Sequence, residues 1–78
     1  MSRRQKLIAR MKATPDKIRF EEAVSLLEYL GFKTSNKRGS HRTYRDAAGR
    51  AVILVRPHGR HNTCDPKDIG KLLEVTSL

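Results

Sequence analysis

The chain has no tryptophan, two tyrosines and two phenylalanines, and only 37% of its 78 residues are hydrophobic. So little apolar bulk excludes a thick core, since a chain of this size buries only about 60% of its unfolded surface and forms one domain at most. A deep substrate cavity has no material for its walls, so a substrate is expected on a face. The single cysteine, Cys64, excludes an internal disulfide and suits a reducing compartment. No apolar run approaches a membrane span, and Met1-Ser2-Arg3-Arg4 is not followed by an apolar core of signal-peptide length. These absences lead us to expect a soluble, cytoplasmic protein without a membrane partner. Acid is scarce as well, with 8 Asp and Glu against 17 Lys and Arg, a net charge of +9.

The excess base is uneven. Residues 1–19 carry seven Lys and Arg against Asp16 alone, and residues 33–60 carry eight against Asp46 alone. Residues 20–32 hold three Glu and no base. A middle third this basic points to a polyanion, most simply nucleic acid, through release of its counterions. A solvated basic surface and an acidic protein partner are the competing readings.

The chain divides into a helical extension, 1–19, and a domain, 20–78. Ser2 and Gln5 form a capping box ahead of a stripe of Leu7, Ile8 and Met11, and Thr14-Pro15-Asp16 ends that helix. The stripe predicts packing on the domain rather than a free basic arm. A second helix is predicted over 20–30, where Phe20, Ala23, Val24, Leu27 and Leu30 repeat at helical spacing and Gly31 stops the run. From Phe32 to Lys37 the period changes to two, Gly39-Ser40 turns the chain, and His41 to Asp46 forms a second strand. Gly49 closes a hairpin loop before the apolar strand Arg50–Val55, which reads as central or covered on both faces. Asp65, Pro66 and Asp68 announce a last helix with Ile69, Leu72 and Leu73 on one side, and Gly70 there either permits close approach or weakens the helix. The fold class is α+β. An α-β-β-β-α unit follows an extra N-terminal helix, with helices on one face of a three-stranded antiparallel sheet, as in double-stranded-RNA-binding domains.

Alternation then sets the direction of the histidine. Tyr44 is the only large apolar residue of the second strand, so its face should meet the helices. His41, Thr43 and Arg45 look outwards, and with Phe32 pointing inwards Lys33, Ser35 and Lys37 stand beside them. Imidazole suits proton transfer at neutral pH, and RNA supplies its own 2′-hydroxyl nucleophile. His41 is the candidate base; Lys37, Arg38 or the Gly39 amide can stabilise developing phosphate charge. Such cleavage needs neither metal nor another cofactor. Equally, a histidine at a strand start can be a plain turn residue, in a basic RNA-binding module that does no chemistry or in a regulator docking on an acidic protein.

The run Lys37-Arg38-Gly39-Ser40-His41 with Tyr44, the helix end at Gly31-Phe32, Gly49, Pro57-His58 and the closing Ile69, Leu72 and Leu73 resembles the HicA family of toxins, over about residues 20–75. The resemblance implies the toxin of a type II toxin–antitoxin pair, with a dsRNA-binding-domain-like fold and endoribonuclease activity on mRNA. The family's catalytic histidine falls on His41, and the reading of the residues above surrounds it with an RNA-contacting set of Lys33, Lys37, Arg38, Gly39, Ser40, Thr43 and Arg45. It also implies a HicB-like antitoxin that covers this face, often in a hetero-oligomer. His58 and His61 receive no role from the resemblance. His58 can act as an acid partner to His41 or be a surface histidine. The spacing of His58, His61 and Cys64 imitates metal ligands, but the fourth would be His41 or Asp65, so no metal site is assigned.

Overall fold

The structure is a computed structural model that describes residues 2–58 and 62–78. Helix α1 spans Arg3–Ala13, a single 3₁₀ turn follows at Pro15–Lys17, and α2 spans Phe20–Tyr29. Strands β1 (Lys33–Arg38), β2 (His41–Arg45) and β3 (Ala51–Val55) precede α3 (Pro66–Thr76). The sheet is an antiparallel meander in the order β1-β2-β3. The α+β class and the α-β-β-β-α order, with one helix in front, are as expected.

Each helix starts where its caps place it. The Ser2 hydroxyl accepts from the Gln5 amide at 3.2 Å, and Gln5 Oε1 accepts from the Ser2 amide at 3.0 Å. Glu22 accepts from the Arg19 amide at 3.1 Å at the head of α2, where the helix dipole favours its charge. The α2 stop is a left-handed Gly31 at φ 93°, which lets the Phe32 amide reach back to the Leu27 carbonyl at 2.9 Å. Asp65 caps α3 through the Lys67 amide at 2.9 Å. Asp68 does not complete a capping box there. Its carboxylate accepts from the Val55 amide at 3.2 Å, tying the head of α3 to the end of β3.

One core holds all three helices to one side of the sheet. Ala23, Leu26 and Leu27 of α2, Phe32, Tyr44 of β2, Val52 and Leu54 of β3, and Ile69 and Leu72 of α3 are buried in it. The inner stripe of α2 thus runs through Leu26, while Phe20, Val24 and Leu30 are only partly buried. Met11 of α1 is also fully buried, with Leu7 and Ile8 packed at the margin. The first helix therefore contributes to the core. Arg10 fixes it further with two bonds to the Glu22 carboxylate, at 2.6 and 3.3 Å, and one to the Lys17 carbonyl at 3.3 Å. The hydrogen bond from Arg10, reinforced by its charge, holds the Glu22 carboxyl below its usual range against the opposing cost of burial.

Two buried residues, Ile18 and Cys64, have no periodic signal because they lie in connections. The backbone stitches them together: the Cys64 amide donates to the Ile18 carbonyl at 2.7 Å, and the Phe20 amide to the Asn62 carbonyl at 2.8 Å. Burial, with Asp68 and Glu22 nearby, pushes the Cys64 thiol up to about 12, so it stays protonated and packs as a small apolar group. Its side chain serves the core. His61, the middle member of the metal-like spacing, lies outside the described residues.

Met11→Ala should cost about 2–5 kcal/mol, the range for emptying a buried methionine position, measured by urea unfolding. Wild-type stability in that variant would mean that α1 is not a working part of the core. A Cβ built on Gly70 meets no atom within 4 Å, so close approach does not explain this glycine. Gly70→Ala should instead raise stability by about 1 kcal/mol, seen as a higher urea midpoint with unchanged slope.

Candidate active site on an open sheet face

The outer face of the sheet is a grid whose rows follow from strand register. Lys33, Arg45 and Ala51 form one row, Asn36, Thr43 and Ile53 the next, and Arg38, His41 and Val55 the third. His41 is exposed on this face, because Tyr44, of opposite parity on the same strand, is buried at 4% exposure. The helices leave the grid uncovered.

The first strand departs from simple alternation. Pairing shifts between Thr34 and Asn36, leaving Ser35 as a bulge without a cross-strand partner. Lys33 keeps the outer parity, but beyond the bulge it passes to Asn36 and Arg38. Lys37 pairs with Arg42 on the other face, so neither it nor Ser35 stands in the row of His41. The extra residue inverts the parity, and nothing in the polar run Lys33-Thr34-Ser35-Asn36-Lys37 marks where it falls. Strand β3 also differs from expectation. It is an edge strand, and Ile53 is 53% exposed in the middle of the grid. An all-apolar five-residue strand carries no alternation from which that exposure could be read.

The turn before His41 is built from three attachments. Gly39 takes φ 55°, a left-handed conformation that favours glycine, and the Arg42 guanidinium donates to its carbonyl. Arg42 is thereby engaged in holding the turn. The Arg56 amide donates to the Ser40 carbonyl at 2.6 Å, extending the β2–β3 ladder past the His41–Val55 pair. The Ser40 hydroxyl is hydrogen-bonded to Nε2 of His58. Ser40 and His58 lie eighteen residues apart, and only the tertiary structure shows that they meet.

A concavity of about 720 Å³ lies elsewhere, between α1 and α2, over Leu7 and Leu26 with Arg3, Arg4, Lys6 and Arg10 at its sides. It shares no residue with the grid. Arg4 stacks there on the Tyr29 ring at 3.5 Å, and Arg10 is paired with Glu22. The concavity therefore expresses helix packing, and the chemistry-bearing side chains collect on the sheet.

These features define a small basic α+β domain with one open, cation-bearing sheet face and an exposed imidazole at the end of its middle strand. The profile of the family described as the HicA toxin of bacterial toxin–antitoxin matches residues 20–75, and the chain belongs to that family. Its role is accordingly that of the toxin in a toxin–antitoxin pair. No curated protein and no solved structure matches the chain. Among the described residues no helix is long and apolar enough to cross a membrane.

Proposed function

We propose that this toxin is a cytoplasmic endoribonuclease that cleaves mRNA without a metal ion, with His41 as its base. The observation that carries the reading is the row Arg38–His41–Val55: an exposed imidazole flanked across the ladder by a guanidinium, on a face open to a polymer. His41 takes the proton of a 2′-hydroxyl, whose oxygen then attacks the adjacent phosphorus. Arg38 lies nearest to the developing phosphate charge, and the Gly39–Ser40 turn stands beside it. Lys33 and Arg45 extend the positive track to the far end of β2, about 13 Å away at the usual strand rise. Thr43 offers a hydroxyl between them. Lys37 reaches the strand only from its edge and contributes a weaker contact.

The partner side of the reading follows from the same face. A HicB-like antitoxin that covers the grid in a hetero-oligomer would seat an apolar anchor on Ile53 and acidic groups on the surrounding cations. Residues 20–78 form the HicA-like unit in this reading, and residues 1–19 are a helical extension that completes its core.

Purified wild type should cut a long RNA in the presence of chelator, and His41→Ala should bind the same RNA with similar affinity but cut at least about 100-fold more slowly. Equal cutting by both proteins removes His41 from the mechanism. Binding without cutting by either would identify a module that only holds RNA. In salt titrations, Arg38→Gln and Arg45→Gln should each reduce the slope of log affinity against log salt by about 0.7 on single-stranded RNA, and Lys37→Gln by less. An unchanged slope in Arg38→Gln and Arg45→Gln would place the contact surface off the grid.

A further inference from the structure

Ser40 is linked to two histidines, to one along the chain and to the other through its side chain. His41 follows it in the chain, and His58 holds its hydroxyl from the segment after β3. The link is a built feature. The bond from the Arg56 amide to the Ser40 carbonyl sets the segment in register with the turn, and Pro57 restricts the backbone immediately before His58. His58 is exposed, so the pairing has little to contribute to the core. Cleavage through the 2′-hydroxyl needs two proton transfers, one from the nucleophile and one to the leaving oxygen, and His41 accounts for only the first.

We propose that His58, oriented by Ser40, is the acid that protonates the leaving 5′-oxygen. This deepens the reading of His41 as the base and rests on it. In the protonated ring Nε2–H donates to the Ser40 hydroxyl oxygen, which leaves Nδ1–H as the proton to be given. As the 2′-oxygen bonds to phosphorus and its proton passes to His41, the bond from phosphorus to the 5′-oxygen breaks. That oxygen takes the Nδ1 proton of His58. The products are a 2′,3′-cyclic phosphate and a 5′-hydroxyl, with His41 protonated and His58 neutral. Nε2 keeps its hydrogen and its bond to Ser40 throughout, so the ring need not turn over between the two states. Water then exchanges the protons and resets the pair. Ser40 acts through His58 and is a positioning residue.

The test compares ordinary RNA with RNA carrying sulfur in place of the bridging 5′-oxygen at one cleavage site. A thiolate leaves without protonation, so a missing acid is forgiven there. His58→Ala should slow kcat on ordinary RNA by about 10²–10⁴-fold with KM little changed, yet stay within about tenfold of wild type on the sulfur substrate. Its pH profile on ordinary RNA should lose the fall at high pH and keep the fall at low pH. Ser40→Ala should show the same pattern with a smaller loss, and His41→Ala should be impaired on both substrates. Unfolding curves verify that each variant is folded. An equal loss on both substrates by folded His58→Ala, or an intact high-pH fall, overturns the assignment of His58 and leaves His41 standing. Cleavage that is indifferent to His41→Ala sinks the underlying reading, and this one with it.

Discussion

The burial of one aromatic ring governs how this domain presents its chemistry. Tyr44 has to leave water, and it does so beneath the helices, against Val52 across the ladder. Alternation then puts His41, Thr43 and Arg45 on the opposite side without further instruction. A slip of one residue would bury the arginine and histidine and expose the tyrosine, so the core itself enforces the register. The same interaction that closes a thin hydrophobic interior keeps the imidazole in solvent.

A chain with this little apolar material completes its core with parts borrowed from connections. Met11 comes from the leading helix, and Ile18 and Cys64 from segments that stitch to one another by backbone hydrogen bonds. Polar side chains then lock the margins. Arg50 bonds to Asp46 at 2.6 Å within the β2–β3 loop, reaches the Val75 carbonyl at 3.3 Å on α3, and lies over the Phe32 ring. Asp68 fixes the other end of α3 to β3. The outer face of the sheet takes no part in this closure and stays uncovered.

Rigidity at the site comes from the turn rather than from the strand alone. Arg42, on the helix-side parity of β2, turns its charge back onto the Gly39 carbonyl. The Arg56 amide and the His58 ring attach Ser40 from the other strand's continuation. A turn tied at both of its residues holds exposed groups in fixed relation without a cavity to enclose them. The concavity between α1 and α2 lies apart from this turn and shares no residue with the grid.

Much of this was legible in the residues. Caps at Ser2 and Asp65, the stop at Gly31 and the outward direction of His41 depend on neighbours a few positions away, and local rules reach that far. The bulge at Ser35 was not legible, because five consecutive polar residues look alike whichever way they point; it took the pairing with β2 to move Arg38 into the row of His41 and Lys37 out of it. The exposure of Ile53 was equally hidden, since an apolar residue reads as buried until the strand order makes β3 an edge. What the sequence determined by itself was the set of elements, their order, and the face on which one histidine stands. Tertiary structure alone decided which distant groups keep that histidine company, because cross-strand register and the meeting of Ser40 with His58 are set by contacts between segments that no local periodicity links.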